Sequence, residues 1–151
     1  MKTLIPPLLF AAVLLFVGAS CTGQVAETRT LHLGSAAFTT QVVNTPEGRE
    51  HGLMGRTDLT DQMAMLFVFP NEEPRIFWMK DTPTPLSIAY ISKQGEVKEI
   101  LDMEAFSLAP VPSRHAVLYA LEVKQGAFDR RGVKVGDTVP ADDLKGLSAS
   151  R

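Results

Sequence analysis

Residues 74–101, PRIFWMKDTPTPLSIAYISKQGEVKEIL, decide the fold class. Arg75–Met79 and Leu86–Ser92 are runs of strand length parted by Pro83-Thr84-Pro85. Proline has no N–H to offer a ladder and holds its own φ fixed, so the tripeptide is a stiff loop. Lys93-Gln94-Gly95 is a turn composition that joins Leu86–Ser92 to Glu96–Leu101 as a hairpin between Ile91 and Val97. The same rhythm continues outward: Thr30–Leu33, Phe38–Val43, Ala64–Phe69 and Ala116–Val123 are further short apolar runs, and Pro70–Pro74 (PNEEP) is a break between two of them. Short, closely spaced strands predict a mainly β (α+β) single domain, a small barrel-like or folded-over antiparallel sheet with one or two short helices.

The helices have recognisable ends. Thr45-Pro46 offers a capping hydroxyl followed by proline at the first helical position, where a missing N–H costs nothing. This predicts a helix running to Leu53 and Met54, with Gly55 as its stop, although Gly48 and Gly52 inside it cost about 1 kcal/mol each in propensity. Ala127–Arg131 before Gly132 reads as a single-turn helix, Val135–Val139 as a corner returning the chain to the sheet, and Leu108–Ser113 as an extended, polyproline-like loop.

Composition narrows the function classes. The 151 residues carry 15 Lys plus Arg against 17 Asp plus Glu, a net charge of −2, which argues against nucleic acid as a partner because that binding draws on excess positive charge. The single cysteine, Cys21, rules out an internal disulfide, a cysteine-cluster zinc site and a CxxC redox pair. Its position gives it a positive meaning. Lys2, the apolar run Leu4–Val17 and the small residues Gly18, Ala19 and Ser20 lead directly to Cys21, the layout of a secretory signal. The run is shorter than the roughly 20 apolar residues a spanning helix needs. A cysteine after small residues resembles the lipobox of bacterial lipoproteins, with Gly18 where leucine is usual. The expected organisation is a signal peptide over 1–20, lipidation of Cys21 with a flexible tether over 21–29, a β domain over 30–140 and a tail over 141–151 that frays from Leu144. The expected location is the cell envelope through a membrane anchor, the alternative being a soluble periplasmic or secreted protein.

Four further segments occur together: TPEGREHGLMGR (45–56), MAMLFVFP (63–70), FWMKDTPTPLSI (77–88) and YALEVKQGAFDRRGVKVGDTV (119–139). Over residues 38–139 this set resembles the bacterial and archaeal family known as domain of unknown function 192. The family's helix residues fall on Arg49, Gly52, Leu53, Met54 and Arg56. Its strand phrase GMLFVF appears with Ala64 for glycine. Its FWMKNT-x-IPLD phrase appears with Asp81 for asparagine and Ser87 for aspartate. The resemblance implies a compact, mainly β, barrel-like fold with short helices, often exported, and no established reaction.

Candidate chemistry centres on Phe77-Trp78-Met79-Lys80-Asp81-Thr82. Strand alternation sends Phe77 and Met79 to one face and Trp78 and Lys80 to the other. One reading packs Trp78 beneath the 45–55 helix, the ordinary fate of an aromatic in a small core. The other makes Trp78 the platform of a shallow ligand groove, with Arg49, Arg56, Lys80 and Asp81 as polar contacts for an unknown small molecule or protein. A non-catalytic binding or accessory module follows from the latter. A hydrolase-type enzyme is the alternative, but His32, His51 and His115 are scattered and neither GxSxG nor SxxK occurs. Copper is a weaker alternative: Met54, Met63, Met65, Met79 and Met103 supply soft ligands without Met-x-x-Met or His-x-His spacing. No metal site, catalytic residue or cofactor is expected. The anchor has a direct test. Cys21→Ser removes the mass of the lipid and shifts the protein from detergent to aqueous phase, whereas unchanged partitioning contradicts lipidation.

Overall fold

The computed structural model describes residues 27–150. The expected signal, Cys21 and most of the tether lie outside them. Strand β1 (Glu27–Leu33) and strand β2 (Ala36–Val43) form an antiparallel hairpin, so Glu27–Arg29, expected in the tether, are strand. Helix α1 (Pro46–His51) follows, its Thr45 Oγ1 accepting from Gly48 N–H at 3.1 Å. The helix is shorter than its sequence signals because Gly52 turns to φ +49°. Strand β3 (Met63–Glu73) runs through Pro70–Glu73, expected as a break, and its register shifts between Val68 and Glu73. Next come β4 (Ile76–Phe77), β5 (Leu86–Ile91), β6 (Val97–Met103), β7 (Val111–Pro112) and β8 (Val117–Lys124), then helices α2 (Ala127–Arg130) and α3 (Ala141–Leu144).

Six strands make one sheet in the order β1-β2-β3-β8-β5-β6, and β4 pairs with β7 in a separate two-stranded piece. The pairing of β2 with β3 is parallel, so the sheet is mixed rather than wholly antiparallel. The reason is the connection: Asn44–Gln62, carrying α1, is a crossover long enough to bring the chain back to the same end. The expected hairpin at Lys93–Gly95 joins β5 to β6 with Ile91 opposite Val97.

The sheet takes the folded-over form of the two expected and does not close into a barrel. Edge strands β1 and β6 do not pair with each other. Residues 134–139 run between them: Gly34 N–H donates to Thr138 O, Val97 N–H to Asp137 O and Val139 N–H to Gly95 O. This strap satisfies backbone groups that a closed barrel would satisfy strand to strand.

Alternation divides the core. Ala64, Leu66 and Val68 of β3, Ala89 and Ile91 of β5 and Tyr119, Leu121 and Val123 of β8 point to one face, where Phe38 and Phe128 cover them. Met65 and Phe67, Leu86, Ile88 and Tyr90, and Ala120 point to the other, covered by Leu53, Leu59, Met79 and Met103. Met65, Met79 and Met103 therefore serve as buried packing. The C-terminal segment is docked rather than frayed: Asp143 Oδ2 accepts from His32 N–H at 2.7 Å, and Ser150 N–H donates to Asn44 O at 2.8 Å. Leu144, Leu147 and Ala149 pack on the first core face, where their apolar surface is covered.

Gly95 is the tightest point of the strap. Its φ is +87°, and a Cβ there would stand 2.6 Å from Val139 O. Gly95→Ala should lower the urea midpoint with an unchanged slope, by an amount equivalent to about 1–3 kcal/mol.

Candidate functional site

The second core face is covered by loops, and their anchoring begins at Phe77. Its ring meets Phe67 edge-on at 5.1 Å between centroids and Tyr90 at 5.9 Å, while Tyr90 Oη donates to Val111 O at 2.5 Å. Phe77 and Met79 thus face inward as alternation predicts, although the strand ends at Phe77. Past it the chain is tied on both sides: Met79 N–H donates to Ser107 O, Phe106 N–H to Thr82 O and Gly55 N–H to Asp81 O. Thr84 Oγ1 donates to Arg56 O at 2.7 Å.

Asp81 sits at φ +53°. That left-handed backbone is tolerated best by glycine, asparagine and aspartate, which accounts for both the family's asparagine and the aspartate here. Phe106 takes φ +59°, a costly conformation for a bulky side chain, and it leaves the ring exposed.

Trp78 is 51% exposed and does not pack beneath α1 as a core residue. It stands with Phe106 (62% exposed) and Leu108 (67%) around a shallow groove of about 470 Å³, rimmed by Lys80 and Asp81. Ile76 and Pro110 extend the apolar surface past Trp78. The Lys80 ammonium lies 5.7 Å from the Trp78 ring centre, within cation–π reach.

The five residues singled out in the sequence separate here. Trp78, Lys80 and Asp81 share the groove. Arg49 borders a smaller cavity that also meets Trp78 and Lys80. Its Nη1 donates to Asn44 O at 2.9 Å and Val68 O at 3.1 Å, so it ties the crossover to β3. Burial, then the nearby Arg75, lowers its pKa. Arg56 is engaged elsewhere, with Asp58 at 2.6 Å and Gln41 Oε1 at 3.0 Å. Ser87 is a clasp: its hydroxyl donates to Asp102 Oδ1 at 2.6 Å and accepts from Gly126 N–H at 2.9 Å. Among the described residues no group of three or more His, Cys, Asp and Glu gathers as a metal would require.

Glu122 was not singled out in the sequence. It occupies β8 between Met65 of β3 and Ile88 of β5, on the phase of Ala120, where an apolar side chain is expected. It is 4% exposed and borders the smaller cavity. Burial pushes its carboxyl up to about 8. The available signal was the single charge inside Val117–Val123 (VLYALEV), on a strand that reads as buried. Phe106 was also missed, because an apolar loop residue gives no sign of which way it faces, whereas the extended loop that starts at Leu108 does border the groove.

Comparisons with known proteins bear on the fold. The family model DUF192, "Uncharacterized ACR, COG1430", matches residues 28–141. No curated protein matches the chain. A solved protein of unknown function from Novosphingobium aromaticivorans is similar at 26% identity, covering 79% of this chain and 89% of its own, with a TM-score of 0.74. A Sinorhizobium meliloti protein whose description proposes a transcription regulator is similar at 31% identity, covering 76% of this chain and 94% of its own, with a TM-score of 0.72.

The exposure of Trp78 has a stability consequence. Trp78→Ala should cost about 1 kcal/mol, since only half of the side chain leaves water. Phe38→Ala, in the buried core, should cost about 3–5 kcal/mol. Denaturant melts of the two variants measure the difference, and equal losses would make Trp78 a core residue.

Proposed function

Because the chain belongs to the domain of unknown function 192 family, whose description assigns no activity, we propose from its own geometry that it is a non-catalytic binding module. Its ligand has an apolar face that lies against Trp78. The observation that carries this reading is the gathering of Trp78, Phe106 and Leu108, all exposed, around one groove with charged groups at its rim. Large apolar side chains scattered singly on a surface need no explanation, whereas a contiguous set edged by polar groups marks an interaction site. The strained backbone of Phe106 supports it, because the ring is held out of the core at a cost of about 1–3 kcal/mol.

The module is proposed to work at the cell envelope, held by lipid on Cys21. The support is the signal-like Leu4–Val17 followed by Gly18-Ala19-Ser20-Cys21. Among the described residues no helix is long and apolar enough to cross a membrane. The role proposed for the Sinorhizobium relative is not carried over, since a net charge of −2 gives phosphates little to bind.

The chain has one tryptophan, so its emission reports the groove directly. The uncharged probe N-phenyl-1-naphthylamine should bind saturably and change Trp78 emission. Phe106→Ala with Leu108→Ser should weaken the probe's binding at least tenfold while leaving the fold intact by circular dichroism. Unchanged affinity in that variant would contradict the reading.

A further inference from the structure

A smaller cavity, about 40 Å³, adjoins the groove, and the side chains of Trp78 and Lys80 line both. Arg49, His51, Lys80, Thr82 and Glu122 are the polar and basic groups that matter at its wall. Glu122 is more than nine-tenths buried and lines this cavity. Its carboxyl is not among the fully enclosed, unpartnered polar atoms of the described residues, so its oxygens keep access to the cavity, where a bound group can complete their bonding. The cations beside it are unpaired with acids: the ion pairs of the described residues involve neither Arg49 nor Lys80. Arg49 uses only Nη1 on backbone carbonyls, which leaves its other N–H groups without a protein partner among the described residues.

We propose that this cavity receives the carboxylate head of an amphiphilic monocarboxylic acid, whose apolar body lies in the groove over Trp78, Phe106 and Leu108, and that the Glu122 carboxyl shares its proton with that carboxylate. The proposal rests on the groove being a binding site.

Charge selects the head group. The wall carries Arg49 and Lys80 against one acid besides Glu122, Glu50, so an ammonium there would face more like charge than opposite charge. A carboxylate is attracted by both cations and finds a donor in a protonated Glu122. Size selects as well. A cavity of about 40 Å³ is room for roughly three water-sized atoms, the number of heavy atoms in a carboxylate. A phosphate group has five heavy atoms and carries more charge to desolvate.

Proton linkage then follows from burial. Glu122 keeps its proton up to about pH 8, so the pair of carboxyl and carboxylate carries one negative charge at neutral pH. Above that value the ligand would face a second anion, and affinity falls by up to tenfold per pH unit. Tyr90 from β5 faces Glu122 and also Glu99 of β6, while Arg49, Glu50 and His51 around α1 and Lys80 from the loop share the cavity wall with Glu122. Burial raises the Tyr90 phenol, which stays neutral throughout the window.

Calorimetric titration with 4-phenylbutyrate, and with 4-phenylbutyramide as its uncharged isostere, tests the proposal on the intact domain between pH 6 and 9.5. The acid should bind at least tenfold more tightly than the amide at pH 7, and its affinity should fall about tenfold per unit above pH 8. Glu122→Gln should keep the binding at pH 7 within a few-fold and abolish the fall. If that variant does not fold, Lys80→Met should weaken the acid at least fivefold more than it weakens the amide. Equal, pH-independent binding of acid and amide overturns the carboxylate site and leaves the groove standing. If neither binds at millimolar concentration although the naphthylamine probe does, the inference again falls alone. If the probe fails too, both readings fall.

Discussion

Strand β8 is bonded on both sides, to β3 and to β5, and this double pairing is the constraint on which the rest depends. Pairing on both edges fixes which side chains point to which face, and here both faces of the sheet are covered, so both phases of β8 are buried. Tyr119, Leu121 and Val123 satisfy the first phase with Phe38 and Phe128 from the ends of the chain. The second phase holds Ala120 and Glu122, and the chain covers it with loops and the small β4–β7 sheet rather than with a long helix. Glu122 is therefore buried by that cover, and burial rather than any neighbouring acid raises its pKa.

The covering loops create the groove for the same reason. Phe77 and Met79 go inward to fill the second core, so the residue between them goes outward. Backbone bonds from Met79 to Ser107 and from Phe106 to Thr82 then bring the loop of Phe106 and Leu108 alongside Trp78. Two non-glycine residues, Asp81 and Phe106, hold positive φ where these loops meet. Strain of this kind persists only where surrounding bonds over-determine the backbone, and here those bonds are the ones that shape the groove.

Much of this was legible in the sequence wherever chemistry is local. Proline pairs and Lys93–Gly95 marked the ends of β5 and its hairpin, and Thr45-Pro46 marked the start of α1. Alternation across Phe77, Trp78 and Met79 gave the facing of each residue. Non-local pairing was not legible. The parallel match of β2 with β3 depends on a crossover whose return point no turn residue encodes. The return of Val135–Val139 to the sheet was legible, but its bridging of the two edge strands was not, because backbone bonds between distant segments make that bridge. The tail docks through Asp143 and Ser150, polar residues that read as solvated until a partner 100 or more residues away is placed beside them. Glu122 was visible as one charge in an apolar strand, but only the distant segments that cover its face turn that into a buried acid.

The ionisation of Glu122 tests this most directly. Carbon-13 NMR of the glutamate side-chain carboxyls, assigned by comparison with Glu122→Gln, follows each group through pH 4–10 in the ligand-free protein. Burial between β3 and β5 predicts one carboxyl that titrates near pH 8 and vanishes in the Gln variant. A Glu122 that titrates at the ordinary carboxylate value of 4.5 would mean that water or a partner reaches it, and would contradict the buried, proton-bearing floor of the cleft.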